Sequence, residues 1–470
     1  MKKILSLLIV FIIVLSMCAC AGVGSGSKAA LQVGYGRADI TPTANTPLGG
    51  YGNATQRLSN GFLDPLYVTC MAFTDSADNT VLLFTQDLLG TNSRYTKEAR
   101  EAISAATGIS GEYIHFASTH THSSPSTSAD HPAIATFKTL YMQQVVKAAQ
   151  AALADRADAT LYFGSTMVDG MNFIRHYKLD NGTYAGSNFG DFTSGKIVDH
   201  AEANDPQMQI LKIDRADETK KDILVMNWQA HPCFTDGGGT GTDLSADFIG
   251  TARAYVESQT GCHFAYFTGA AGNHNATSRI ESEKHNLSYS EYGQKLGQAM
   301  IDALGSLTQA ESGNIKTAQQ SFTAEHNQED LDKIEQAREV MNIAATVSAT
   351  EATKRAKELG LSSRFHASSI ISRAKNGDPI TIELNAVSIG NFAFIAAPYE
   401  MFAANGRYIK ENSPAGLTFI ISCANQSNGY IPSKEAYVYG CYESHTSDFA
   451  PGTGEKAQDA FIELLNSLQS

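Results

Sequence analysis

The stretch Tyr113-Ile114-His115-Phe116-Ala117-Ser118-Thr119-His120-Thr121-His122-Ser123-Ser124-Pro125 joins an apolar run directly to a polar, histidine-bearing segment. The same arrangement recurs along the chain. Val81-Leu82-Leu83-Phe84 leads to Gln86-Asp87, and Ile223-Leu224-Val225-Met226 leads through Trp228 to His231-Pro232. Phe264-Ala265-Tyr266-Phe267 leads to Gly269-Ala270-Ala271-Gly272-Asn273. Phe392-Ala393-Phe394-Ile395 leads to Pro398-Tyr399-Glu400, and Phe419-Ile420-Ile421 leads to Asn425-Gln426. Continuous apolar runs of this length fit strands buried on both faces. Between them, helical periodicity covers Thr96 to Thr107, Ala133 to Ala154, Ile249 to Thr260 and Ser290 to Leu307. The alternation predicts an α/β fold, a layered mixed β-sheet with flanking helices. Ligands in such folds sit outside the carboxyl ends of the strands. The polar segments fall at those ends, so they point to one shared site.

The 470-residue chain is 43% hydrophobic, ample for a packed core, and its net charge is −13. That acidity excludes a nucleic-acid binder, which needs a surplus of Lys and Arg to meet phosphates. Lys2 and Lys3 precede the apolar stretch Ile4 to Leu15, the pattern of a secretory signal. The following Leu15-Ser16-Met17-Cys18-Ala19-Cys20 resembles a lipoprotein lipobox. Cys20, after the small Ala19, is the expected lipidation site, with Cys18 as the alternative. The expected organisation is a signal at 1–20, a Gly/Ser-rich tether at 21–30 and one elaborated catalytic domain at 31–470. The expected location is extracytoplasmic, on the cell membrane through an N-terminal lipid. Loss of Lys2 and Lys3 takes the charge from −13 to −15, which disfavours docking on anionic lipid through a basic patch. The five remaining cysteines, Cys70, Cys233, Cys262, Cys423 and Cys441, contain no CxxC pair and indicate neither a disulfide framework nor a cysteine zinc site, which leaves room for one or two disulfides outside the cell.

Residues 328–360 differ from their surroundings. Glu, Lys, Arg and Ala dominate, with Glu335/Arg338 and Glu351/Arg355 at helix-neighbour spacing and Gly360 placed to end a helix. This reads as a solvated helical hairpin inserted before the last strands. An amphipathic helix at Lys456 to Leu468 closes the sequence.

Four features could carry chemistry. On a strand, His120 and His122 would project from one face. His231 follows its own strand, Glu400 follows another, and a tyrosine-rich stretch runs from Tyr430 through Tyr437 to Tyr442. Each alone has an ordinary explanation: a packed histidine, an exposed acid, half-buried phenols. Together, two histidines and a carboxylate form a hydrolytic zinc set with open positions. No HExxH helix is present, so a thermolysin-like protease is not supported.

The ordered motifs resemble the neutral/alkaline non-lysosomal ceramidase family over most of the mature length. They are Val33-Gly34-Tyr35-Gly36-Arg37-Ala38-Asp39-Ile40-Thr41-Pro42, Leu48-Gly49-Gly50-Tyr51, Thr119-His120-Thr121-His122-Ser123, His231-Pro232, Pro398-Tyr399-Glu400-Met401-Phe402, Tyr430, Tyr437 and Tyr442-Glu443. The resemblance implies a Zn2+ ion held by His120, His231, Glu400 and Tyr430. It implies that His122 contacts substrate or handles protons, and that Arg175, Tyr437, Tyr442 and the loop bearing Gly50 bind substrate. The chain departs from the family at Gly272-Asn273-His274-Asn275-Ala276-Thr277, where Asn275 takes the position of an important serine. A serine-assisted mechanism is therefore not carried over, although an Asn275 amide can donate to an oxyanion. No immunoglobulin-like C-terminal domain is evident. The implied activity is hydrolysis of the amide bond of ceramide or another N-acyl lipid by metal-activated water. The alternatives are a zinc hydrolase of a different amide or ester, such as peptidoglycan or peptide, and a non-catalytic ligand-binding lipoprotein.

Overall fold

The apolar runs become strands of two sheets that share a core. The computed structural model describes residues 30–43, 45–51, 54–344 and 346–469. The expected signal with Cys20, and all of the expected tether except Ala30, lie outside the described residues.

The larger sheet holds β1 (Leu31–Asp39), β2 (Tyr67–Asp75), β3 (Thr80–Gln86), β4 (Ile114–Ser118), β5 (Ala157–Met167), β6 (Gln207–Arg215), β7 (Ile223–Trp228), β8 (His263–Thr268) and the short β9 (Thr308–Gln309). Its order is β8-β7-β6-β5-β1-β2-β3-β4, with β9 paired to β5. The outer pairs β3/β4 and β7/β8 are parallel, and the pairs between them are antiparallel. The smaller sheet runs β10 (Ile315–Ala324), β11 (Ile380–Ile389), β12 (Phe392–Ala396) and β13 (Leu417–Ile421) in sequence order, with β12/β13 parallel. Val33, Phe73, Leu83, Leu211 and Val225 from the first sheet meet Val387, Phe394 and Phe419 from the second in one buried cluster.

Helices cover the outer faces. α1 (Ser93–Thr107) and α2 (Pro132–Ala154) pack on β1 to β4. α3 (Phe248–Thr260) and α4 (Tyr289–Ala303) pack on β7 and β8. The expected helices at 96–107, 133–154 and 249–260 begin within three residues of the observed starts, whereas the fourth ends at Ala303 rather than Leu307. Asn92 caps α1 by accepting from the Tyr95 amide at 2.9 Å, and Ser288 with Glu291 forms a capping box on α4. α2 lies so close to β1 that a Cβ on Gly36 would overlap the Ala148 carbonyl. Gly36→Val is therefore expected to lower the unfolding free energy by about 3 kcal/mol, checked by urea unfolding.

The inserted segment contains α5 (Ile334–Ala344), α6 (Ala349–Glu358) and α7 (Arg364–Lys375). The expected hairpin ending at Gly360 is therefore followed by a third helix. Gly360 adopts φ +77 and reverses the chain, and Ser363 then caps α7 by accepting from the His366 amide at 3.1 Å. Glu335 pairs with Arg338 at 2.6 Å as its spacing suggests. Arg355 instead pairs with Glu339 and Glu358, because α5 lies against α6. α8 (Ala403–Asn412) and α11 (Thr453–Ser467) cover the smaller sheet. The short α9 (Lys434–Tyr439) and α10 (Tyr442–Thr446) lie between them in sequence. The five cysteines among the described residues are all free.

The strand order hides one feature that matters for the site. β4 and β8 stand at opposite ends of the large sheet, yet they touch. The Thr268 hydroxyl, at the end of β8, donates to the Thr119 carbonyl just past β4 at 2.9 Å. The segment after β13 is wedged between them: the Ser422 amide donates to Thr268 and the Ser118 amide donates to Cys423. The curl of the sheet therefore gathers the carboxyl ends of β4, β7, β8 and β13 at one place.

Candidate metal centre and substrate site

His120 lies two residues past β4, at φ +68, a left-handed conformation that costs a non-glycine residue of order 1–2 kcal/mol. The strand alternation expected for His120 and His122 is thus replaced by a turn, but their rings still lie 5.1 Å apart. The His120 Nδ1 donates to the Leu89 carbonyl at 2.8 Å. His231, past β7, directs its Nδ1 to the Ala271 and His274 carbonyls at 2.9 and 3.1 Å. Fixing the proton on Nδ1 leaves each Nε2 with an open lone pair.

Both lone pairs face the same atom. Glu400, just beyond β12, places its Oε2 3.2 Å from His120 Nε2 and 3.3 Å from His231 Nε2. All three atoms are buried and none makes a hydrogen bond. Three buried acceptor atoms facing one another are unfavourable unless a cation or shared proton lies among them. The donor set, two imidazoles and a carboxylate, fits a zinc-class ion. Burial pushes the Glu400 carboxyl up, but the two imidazoles outweigh it and hold it well below the usual range. Burial lowers the His231 imidazole to about 4, whereas at His120 burial is outweighed by Cys423 and Glu400, which raise the imidazole well above its ordinary value, so a cation bound here would displace the proton that His120 otherwise shares with Glu400.

Tyr430 stands opposite Glu400 in a two-residue parallel ladder, Glu400–Met401 against Tyr430–Ile431. Burial and Glu400 raise its phenol well above the ordinary value. His122 completes a cluster in which a ring nitrogen from each of His120, His122 and His231 lies within 4.8 Å of the others. Neither His122 nitrogen has a hydrogen-bond partner, and burial with the two neighbouring imidazoles keeps it neutral. Gly50, at φ +104, leaves the space His122 occupies: a Cβ there would lie 2.5 Å from His122 Nδ1. Gly50→Ala is expected to displace the His122 ring and lower kcat by about tenfold while leaving the protein's metal content unchanged, as read by kinetics and metal analysis.

Arg175 is buried beside this cluster. Its Nη2 donates to the Gly272 carbonyl at 2.9 Å and pairs with Glu443 Oε1 at 2.6 Å. Its guanidinium lies 5.5 Å from the Tyr430 ring centre. Asn275 forms a bridge next to His231 and turns its Oδ1 toward Arg175 at 3.5 Å. The neighbouring His274 is fully buried, donating to the Ala270 carbonyl and accepting from the Asp205 amide, both at 3.0 Å. Tyr442 packs its ring 6.0 Å from Tyr430. Tyr437 is turned elsewhere: its hydroxyl donates to the Phe449 carbonyl at 2.5 Å and so closes the 447–449 turn.

Several residues at the site carried no role in the sequence reading. The Glu443 carboxylate joins Arg175 to His176, whose Nε2 lies 2.7 Å away. Tyr51 leans on His122 at 5.2 Å and donates to Asp236 at 2.5 Å. Cys423 Sγ lies 3.5 Å from His120 Nδ1. Tyr51 and Glu443 sit inside quoted motifs, which was the one available signal. Nothing in sequence pairs Asp236 or Cys423 with this site.

Fold and site together define an α/β protein with a buried His/His/carboxylate centre at its strand ends. The chain belongs to the neutral/alkaline non-lysosomal ceramidase family: the model of that family's N-terminal region matches residues 31–275. Among solved structures, it resembles the neutral ceramidase from Pseudomonas aeruginosa with a TM-score of 0.68 and 15% identity, covering 94% of this chain and 74% of that one. It also resembles a ceramidase complexed with C2, with a TM-score of 0.68 and 14% identity, covering 94% and 75%. At these identities the likeness is one of fold. A search of curated proteins finds no match.

Proposed function

We propose that the chain is a zinc-dependent amidohydrolase that cleaves the amide bond of ceramide or a related N-acyl lipid. The observation that carries this reading is the convergence of His120 Nε2, His231 Nε2 and Glu400 Oε2, buried and without hydrogen bonds, in a member of the ceramidase family. Tyr430 completes the ligand set. A zinc ion held there would polarise a carbonyl and lower the pKa of water to about 7. His122, neutral and unpartnered, takes the proton of the attacking water and passes it to the departing amine nitrogen. Arg175 and Tyr442 hold polar groups of the substrate, and the Asn275 amide stands where the family's serine would. The signal-like N-terminal stretch ending in Cys18-Ala19-Cys20 supports a location outside the cytoplasm with a lipid tether on Cys20.

The test is metal analysis together with release of fatty acid from N-lauroylsphingosine and simpler lauroyl amides. Stoichiometric zinc with turnover supports the reading. Zinc without turnover on any amide or ester favours the binding lipoprotein, a reading motivated by Asn275 in place of serine. Turnover confined to non-lipid amides or esters assigns a different substrate to the same centre.

A further inference from the structure

The arginines of the inserted helices are engaged, with one exception. Arg338 pairs with Glu335, Arg355 pairs with Glu339 and Glu358, and Arg373 donates to the Ser447 and Glu329 carbonyls. Arg364, the first residue of α7, makes no ion pair among the described residues, and its buried Nε has no hydrogen-bond partner. In a chain with 48 acidic residues, a half-buried guanidinium without a carboxylate is unusual. Buried arginines elsewhere meet carboxylates, Arg253 with Asp87 at 2.8 Å and Arg175 with Glu443 at 2.6 Å, or main-chain carbonyls, as Arg57 does with Gly241 at 2.7 Å and Gly49 at 3.0 Å.

The position of Arg364 links it to the metal side. Its guanidinium carbon lies 4.4 Å from the Phe365 ring centre. Phe365, Phe189 and Tyr442 form a half-buried cluster with ring separations of 5.3 to 6.1 Å. Tyr442 in turn touches Tyr430, which stands opposite Glu400. A path of aromatic surface thus leads from the centre to a cation awaiting a partner.

We infer that Arg364 is a specificity-determining residue that receives an anionic group, a carboxylate or phosphate, on the amine side of an N-acyl substrate whose body lies along Phe189, Phe365 and Tyr442. This rests on the proposed amide hydrolysis and narrows it: ceramide, uncharged at its headgroup, would leave Arg364 unused. A guanidinium suits either anion because its planar donors match both bidentately.

The experiment compares kcat/KM for N-lauroylglycine, N-lauroylphosphoethanolamine and neutral N-lauroylethanolamine in wild type, Arg364→Gln and Arg364→Lys. Arg364→Gln is expected to lower the values for the anionic substrates by about tenfold, with partial recovery in Arg364→Lys and little change for the neutral one. The larger of the two anionic losses tells carboxylate from phosphate. An equal loss on all three substrates, or none, overturns the inference while leaving amide hydrolysis standing. If no amide is turned over, binding decides separately. Calorimetry with the hydrolysis-resistant N-(dodecylsulfonyl)glycine and N-(dodecylsulfonyl)ethanolamine should show a preference for the anion that Arg364→Gln abolishes. No preference in wild type overturns the inference.

Discussion

His231→Ala is expected to leave the protein without stoichiometric zinc and to lower turnover of an N-acyl substrate by about a thousandfold or more. The size follows from the several kcal/mol of transition-state charge stabilisation that a bound metal supplies, at about 1.4 kcal/mol per factor of ten. The substitution removes one of two imidazole donors and leaves the Glu400 carboxylate facing His120 alone. His231 also ties the Ala271 and His274 carbonyls together through Nδ1, so some stability is lost with it. Glu400→Gln separates the two effects. It keeps the shape and removes the charge, so zinc affinity and turnover should fall while the melting temperature holds or rises. Metal analysis by mass spectrometry, fatty-acid release and thermal unfolding read the three quantities. Full turnover in a zinc-free, folded His231→Ala protein would sink the mechanism.

The sequence is legible where both faces of a strand are covered. β3, β4, β7, β8, β12 and β13 are nearly continuous apolar runs because helices or the facing sheet bury each side. β5 is not legible in this way, because its buried and exposed positions are mixed along Ala157–Met167. β10 is an edge strand with Lys316, Thr317, Gln319 and Ser321 facing outward, and it reads as polar chain. β1 carries Gly34 and Gly36, which weaken a strand signal but are required by the close approach of α2. The metal-side residues were legible only as a set: each imidazole or carboxylate past an apolar run has an ordinary structural use, and it is their recurrence at several strand ends that points to one site. Their convergence depends on the contact between β4 and β8, the two ends of the large sheet, which no local pattern encodes. Glu443 shows the same limit: its partners Arg175 and His176 lie far earlier in the chain, and only the fold joins them.

Glu443→Gln is expected to cost about 3–5 kcal/mol of stability at neutral pH, the effect of breaking a buried ion pair from one side. Glu443 is 1% exposed and holds two cations, Arg175 at 2.6 Å and His176 at 2.7 Å. Burial alone would raise its carboxyl, but Arg175 and His176 overcome that and hold it far below the usual range. Burial would lower the His176 imidazole, but Cys441 and Glu443 raise it to about 10. A carboxyl depressed on folding stabilises above its unfolded pKa, and that stability fades as pH falls through the folded value. An imidazole raised on folding stabilises fully below about pH 6.5, and that stability is lost as pH climbs toward 10. The wild-type protein should therefore lose stability between pH 7 and 10. In Glu443→Gln the His176 imidazole has lost a counter-charge and reverts toward neutrality, so this alkaline decline should flatten. Arg175 cannot discharge, and it remains buried with the Gly272 carbonyl, Asn275 and the Tyr430 ring, but no carboxylate, to meet it. Its reorientation should raise KM more than it lowers kcat if, as proposed, Arg175 grips substrate rather than the reacting bond. Urea unfolding at pH 6, 8 and 10 gives the first signature and steady-state kinetics the second. Parallel wild-type and variant stability curves across that range would show that Glu443 does not hold His176 as a cation.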